Sequence, residues 1–366
     1  MRGSCQTDAD MLYFTGVPVP DPFYAFTLRG RKCALIGALE LGRLSKGGRL
    51  DEIFDLSSLS RKYFPNGRAD ETAVLAKILK NSRVRGLLVP QNFPALQLER
   101  LRAAGFDVAV ADAPILPKRD VKSARELAEI EKANAVAAKG FARIAQILRE
   151  SEVSDGKLVW RNRTVSSELL RFEVESAALA EGADAMYTIV AGGNQACDPH
   201  EVGHGAILPN SLIVADIFPR LRSSGYFGDM TRTFLKGTPS DAQAKLVETV
   251  AAAQRLALSK IRDGAEGSEI HADVDDFFAE NGYYTEFRKG AWGGFFHSTG
   301  HGVGLDIHEK ISISPRKCKL RSGNVVTVEP GLYYRGIGGC RIEDTVVVRK
   351  TRARKLSNYP YDWVIK

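Results

Sequence analysis

At 366 residues, 44% of them hydrophobic and 26% charged, the chain carries apolar material for about two globular cores and excludes a disordered or collagen-like class. The net charge of +7, from 51 basic and 44 acidic residues, is modest for this length and calls for no anionic partner. Five cysteines (5, 33, 197, 318 and 340) form an odd set without a CxxC pair, which argues against a disulfide framework and for reduced thiols in a cytoplasmic protein. The opening residues lack the apolar core of a signal peptide, and no apolar run reaches the roughly 18 residues that span a bilayer, so neither a secreted nor a membrane protein is expected. The densest basic run, Arg349 to Lys355, has no interleaved aromatic residue and reads as a solvated strand end, with no nucleic-acid partner.

In chain order, residues 1–118 read as a small α/β domain. Tyr24–Leu28 and Cys33–Ile36 predict strands around the turn Arg29-Gly30-Arg31. Asp70 predicts a helix cap, with Val74, Leu75, Ile78 and Leu79 on the buried face. Gly86–Val89 predicts a buried strand, Pro94 to Ala104 a helix stopped by Gly105, and Asp107–Val110 another strand. This part holds no histidine and no glycine-rich phosphate loop, and no chemistry is expected in it. Ala113 to Arg119, with two prolines and a charge cluster, predicts a linker.

Residues 119–366 read as a second domain. Ser123 opens a long helix on which Leu127, Ile130, Ala133, Ala137, Phe141, Ile144 and Leu148 recur at three- and four-residue spacing. Thr164 predicts the cap of a second helix running to about Leu179. Ser240 and Gln243 form a capping box ahead of a stripe of Leu246, Val250, Ala253, Ala257 and Ile261, and a further helix is expected from about Ser268 to Glu280. The order is helix, helix, strands, and then the same again.

The chemistry gathers in Phe296 to Glu309, which holds three of the six histidines, His297, His301 and His308. Neutral imidazole is the commonest metal ligand and a frequent acid or base. Gly300, Gly302 and Gly304 predict close backbone approach and unusual backbone angles. Each half of the domain also delivers two acids on or at the end of an apolar run. Leu212–Ala215 leads to Asp216, with Asp229 following 13 residues later; Val325–Val328 leads to Glu329, with Glu343 following 14 later. A carboxylate in such surroundings is costly unless paired or metal-bound. Four carboxylates with one imidazole make a hard ligand set that favours Mn²⁺, Co²⁺ or Zn²⁺. They exceed what one divalent ion needs, so two ions sharing bridging acids are expected.

These residues resemble the pita-bread metallopeptidases of family M24, and within it the aminopeptidase P and prolidase branch. Asp216 stands where that family has its first aspartate; Asp229 lies in Asp229-Met230-Thr231-Arg232-Thr233-Phe234, His301 in Gly300-His301-Gly302-Val303-Gly304, Glu329 in Glu329-Pro330-Gly331-Leu332-Tyr333, and Glu343 in Arg341-Ile342-Glu343-Asp344-Thr345. The resemblance covers about residues 120–350, and more weakly the first domain, which is similar to the creatinase-like N-terminal domain of that branch. It implies an α+β fold with a C-terminal catalytic domain of two pseudo-symmetric halves. It implies two metal ions, with Mn²⁺ the family's choice, bridged by Asp229 and Glu343, with Asp216 on one ion and His301 and Glu329 on the other. The activity implied is cleavage of X–Pro bonds at the N-terminus of short proline-containing peptides by a metal-held hydroxide, with Glu329 carrying the proton. His308 and His200 are similar to catalytic histidines that meet the substrate, His297 to the one lining the pocket after the scissile bond, and Arg341 to the arginine behind the ligands. His204 rivals His200 for its role, because the interval from His200 to Asp216 is about one residue shorter than in the family. The Asp216–Asp229 interval is about two longer, which either reshapes the pocket or lengthens a turn. A homodimer is implied, with the first domain limiting substrate length. The competing readings are a peptidase of the same family with another specificity and a non-catalytic peptide-binding module; the latter is marked by lost ligands, and all five are present.

Overall fold

The structure is a computed structural model that describes residues 1–67, 70–288 and 290–366. The chain forms two compact units, Met1–Arg119 and Asp120–Lys366.

In the first unit the strands Phe23–Leu28 and Arg31–Ile36 pair around Arg29 and Gly30, both at positive φ (52° and 79°), which matches the expected hairpin. Arg2–Gly3 and Glu52–Asp55 complete a four-stranded sheet, and Gly86–Val89 pairs in parallel with Asp107–Val110. Asp70 caps the Glu71–Asn81 helix by accepting the Ala73 N–H at 2.9 Å. Two further helices, Ala38–Gly47 and Leu56–Tyr63, escape a periodicity reading because they bury only Leu44 and no residue respectively. The Ala9–Thr15 helix is short but carries its own signature, an Asp8 cap and Gly16 at φ 75°.

The second unit repeats one plan twice. Its first half packs the helices Ala124–Glu150 and Ser167–Ala180 on a sheet ordered Ile189–Gly192, Ile213–Ile217, Met230–Lys236, Val364–Ile365. Its second half packs Asp241–Lys260 and Gly267–Glu280 on a sheet ordered Glu309–Ile313, Gly300–Gly302, Val325–Val328, Asp344–Val347, Arg354–Lys355. Both long helices begin with a complete capping box, Ser123 with Glu126 and Ser240 with Gln243. The second helix starts two residues later than Thr164 predicts: Thr164 pairs with Val159 in a small sheet, and Ser166 takes the cap by accepting the Leu169 N–H. Ile261 lies just past its helix as an extended C-cap residue, yet its side chain still enters the core. Among the described residues no helix is long and apolar enough to cross a membrane.

Candidate active site

Strand register brings the acids together. Asp216 on Ile213–Ile217 lies opposite Thr231, and Asp229 immediately precedes Thr231's strand. In the other half Val328 lies opposite Asp344, so Glu329 and Glu343 leave adjacent strand ends. The two sheets join where the Glu343 N–H donates to Thr231 O at 3.1 Å. Side chains alternate along a strand, so Glu343 turns to this junction while Asp344 faces the other way. Asp229 and Glu343 are buried, 4% and 2% exposed. His301 reaches the acids from the Gly300–Gly302 strand. One ligand atom each of Asp229, His301 and Glu343 lie within 4.8 Å of one another, the only such cluster of potential ligands among the described residues.

The glycines of this stretch serve close approach, not unusual backbone angles. None of Gly300, Gly302 and Gly304 has positive φ. A Cβ on Gly300 would lie 2.0 Å from Thr327 O, so only glycine lets the strand bearing His301 lie against the one leading to Glu329.

The electrostatics of the cluster favour a bound cation. Burial, with Glu343, Asp216 and Glu329 beside it, pushes the Asp229 carboxyl well above its ordinary range. Burial and the neighbouring Glu329 and Asp216 do the same to Glu343. Glu329 is pushed up to about 7, by burial first and also by Asp216, against the pull of Arg341. Burial lowers the His301 imidazole, so the ring is neutral at pH 7. Its Nδ1 faces Gly302 O at 3.1 Å, and a carbonyl can only accept, so Nδ1 carries the proton. That leaves the bare Nε2 facing Asp229 Oδ2 at 3.6 Å and Glu329 Oε1 at 3.4 Å. Three acceptors confronting one another are relieved by a cation between them, and a histidine donating its other nitrogen to a carbonyl is the usual arrangement of a metal ligand. Asp216 fits the same picture: Arg341 Nη2 donates to its Oδ2 at 2.7 Å, while its buried Oδ1 has no hydrogen-bond partner. The donor set therefore suits divalent ions.

The other histidines fall into two groups. His297 is buried, and desolvation together with Arg341 lowers its imidazole to about 3. Its Nδ1 donates to Ser298 O and its Nε2 accepts from Tyr333 OH, both at 2.8 Å. With both nitrogens engaged, it offers an approaching group only its ring. His308 stands edge-on to His301, ring centroids 4.4 Å apart, and burial followed by His301 lowers its imidazole. His200 is near enough to act electrostatically on both His297 and His308. His204 is exposed, as is His200, and its Nδ1 lies 3.7 Å from Glu201. The longer Asp216–Asp229 interval folds back as a turn: Arg220–Leu221 pairs with Ala183–Asp184, and Phe227 N–H donates to Gly304 O at 2.8 Å.

Several supporting residues are not singled out by a search for ligands. Thr231 donates to Glu343 Oε2 at 2.7 Å, and Thr327 donates to Glu329 Oε1 at 3.2 Å while accepting the His301 N–H at 3.0 Å. Tyr333 OH, fully buried, links His297 to Arg341 Nη1 at 3.0 Å. Asn134 Oδ1 accepts the Asp229 N–H at 3.0 Å. The signal for Asn134 was available: it is a polar residue on the otherwise apolar face of the long helix. Thr231 and Tyr333 lie within the motifs that carry Asp229 and Glu329.

The profile of metallopeptidase family M24 matches residues 128–350. The Xaa-Pro dipeptidase of Pyrococcus furiosus is 32% identical over 285 residues, 77% of this chain and 75% of the relative. The crystal structure of the prolidase from Pyrococcus horikoshii superposes with a TM-score of 0.79 at 26% identity, covering 96% of this chain and 92% of that one. The X-Pro aminopeptidase from Thermotoga maritima superposes with a TM-score of 0.82, covering 98% of this chain and 94% of that one; at 24% identity this likeness bears on the fold alone. A profile spanning most of the chain, a relative this similar over three quarters of it and a shared two-half architecture lead to one conclusion: this chain is a peptidase of metallopeptidase family M24, in its aminopeptidase P and prolidase branch.

Proposed function

We propose that the protein hydrolyses X–Pro bonds at the N-terminus of short proline-containing peptides, as an Xaa-Pro aminopeptidase or dipeptidase, using two divalent metal ions. The observation that carries this reading is the buried meeting of Asp229, His301 and Glu343 with an unprotonated imidazole nitrogen turned toward carboxylates. The name of the Pyrococcus furiosus relative supports the X–Pro specificity. Asp216, Asp229, His301, Glu329 and Glu343 would hold the ions. When bound, such ions supply a Lewis acid and an acidified water at neutral pH. We assign Mn²⁺ as the native metal, a homodimer as the assembly and the cytoplasm as the location.

The remaining roles belong to the chain's own groups. Glu329 is the chain's own proton carrier in this reading, placed beside His301 and Arg341. His308 donates a hydrogen bond to a substrate carbonyl oxygen, and His200, near enough to act electrostatically on His297 and His308, assists. Proline's amide has no N–H, so a site for it needs an apolar wall more than a hydrogen-bond acceptor. The His297 ring, held by Tyr333 and packed against Phe295 and Phe296, is such a wall. Arg341 orients Asp216.

The test is kcat/KM for Ala-Pro-Ala against Ala-Ala-Ala on one Mn²⁺-loaded preparation. The proline peptide is expected to be cleaved far faster, and His297→Ala to narrow the ratio. Equal values would leave a peptidase but reject X–Pro selectivity. An X–Pro dipeptide in the same assay separates dipeptidase from aminopeptidase, metal analysis should give two ions per chain, and sedimentation should give a dimer.

A further inference from the structure

Lys122 and Glu309 form a buried ion pair, their side chains 3% and 6% exposed, that none of the roles above uses. Glu309 directly follows His308 and opens the Glu309–Ile313 strand. Its Oε2 meets Lys122 Nζ, and its Oε1 accepts the Leu305 N–H at 3.1 Å. The turn from Val303 to His308 is thus tied to one carboxylate near its start and at its end. The backbone is shaped around that carboxylate: a Cβ on Gly304 would lie 2.4 Å from Glu309 Oε1. The pairing register shifts at the same place, His301 opposing Ser312 and Gly302 opposing Glu309, an irregularity of the kind that re-aims side chains. Lys122 is fixed independently. Its N–H donates to Gly323 O at 2.8 Å, and Asn324 Nδ2 donates to Asp120 O at 2.7 Å, which stitches the segment before the long helix to the 321–324 turn.

A buried ion pair seldom stabilises a fold more than apolar side chains of the same volume, but it fixes geometry by its direction and its obligatory partners. We propose that the Lys122–Glu309 pair is a positioning device for His308: it locks the 303–308 turn so that the His308 ring stands edge-on to His301. The effect on turnover rests on the reading of His308 as a substrate contact; the effect on ring position does not. Lys122 pairs with Glu309 and acts on His308 through the turn.

The experiment compares Lys122→Met, Lys122→Arg and the double variant Lys122→Met/Glu309→Met, with resonances read in protein loaded with diamagnetic Zn²⁺ and turnover read in Mn²⁺-loaded protein. The double variant leaves no stranded charge, so it remains informative where Lys122→Met alone folds poorly. The ring ¹³C–¹H resonance of His308, assigned by its loss in His308→Ala, is expected to shift in Lys122→Met and in the double variant. It should return toward its wild-type position in Lys122→Arg, with metal content unchanged throughout. Turnover should fall about 10- to 100-fold with KM little changed, the scale of a small misplacement of a reacting group. On a His308→Ala background, Lys122→Met should cost less than about twofold more, because the two changes remove one effect. An unmoved His308 resonance, or a full additional loss on the His308→Ala background, would overturn the proposal. If the wild-type enzyme proves inactive on X–Pro peptides, the proposed function fails, and the resonance still decides for or against the positioning device.

Discussion

At the scale of single residues, the site is defined by charges that the fold holds at a cost. Asp229 and Glu343 lie in a buried cluster of four acids, and each is pushed well above its ordinary range by burial and by the others. Asp229→Asn and Glu343→Gln should each lower kcat/KM by at least about a thousandfold, near 4 kcal/mol of transition-state stabilisation, and reduce bound metal. Near wild-type turnover with full metal content would remove these residues from the site. The same shifts set a pH dependence. Glu329 has a folded value of about 7 against an ordinary 4.5. Between those values the unfolded chain has released its proton while the folded chain keeps it, so the contribution of Glu329 to the stability of the metal-free protein falls as pH rises through that window. The loss amounts to about 3 kcal/mol from Glu329 at most, and Asp229 and Glu343 act in the same direction. His297, His301 and His308 act in the opposite sense below the ordinary imidazole value, because their buried rings resist protonation, so the test is differential: in a chelator, the Tm of the wild type relative to Glu329→Gln should fall from pH 5 to pH 8. A relative Tm that rises over that range would contradict the electrostatic account.

At the scale of elements, the strand carrying His301 depends on a contact that no side chain tolerates. Gly300→Ala would place a methyl group 2.0 Å from Thr327 O, a backbone atom that cannot swing aside. The strand must then move away from Val325–Val328, and the bond from His301 N–H to Thr327 Oγ1 is lost with it. The expected cost is about 2 kcal/mol or more in chemical denaturation, together with weaker metal binding, because His301 moves as well. Unchanged metal affinity would show that the strand adapts without moving the ligand. Legibility at this scale followed the strength of local signals. The capping boxes at Ser123 and Ser240 and the Arg29–Gly30 hairpin are written in neighbouring residues and match the structure. The Ser167–Ala180 helix starts two residues beyond the Thr164 position because Thr164 and Ser166 are both good caps, and only pairing of Thr164 with Val159 decides between them.

At the scale of the whole molecule, one buried acid ties the two halves of the second unit together. Asp344 accepts from Arg232 Nη2 of the first half at 2.9 Å, from Gln254 of the Asp241–Lys260 helix at 3.1 Å, and from Lys355 and Ser357 of the C-terminal segment at 2.8 and 2.7 Å. Burial alone would raise its carboxyl, but Arg232 and Lys355 hold it below the ordinary range. Asp344→Asn leaves Arg232 buried beside a neutral group and should cost about 3–5 kcal/mol, read as a lower urea midpoint. A midpoint shift under about 1 kcal/mol would mean that the halves are held by their apolar cores alone. The sequence by itself determined the chemistry: which acids end apolar strands, that they come as two similar pairs, and that a glycine-rich histidine stretch follows the second pair of helices. Those features are local, because strand hydrophobicity, glycine placement and motif spacing need no distant partner to be read. Tertiary structure alone decided which groups face one another. The bare Nε2 of His301 among carboxylates, the bond from Tyr333 to His297, and the Lys122–Glu309 pair join residues 28 to 187 positions apart. Such contacts are set by sheet register and by the packing of two half-domains, which a local pattern does not encode.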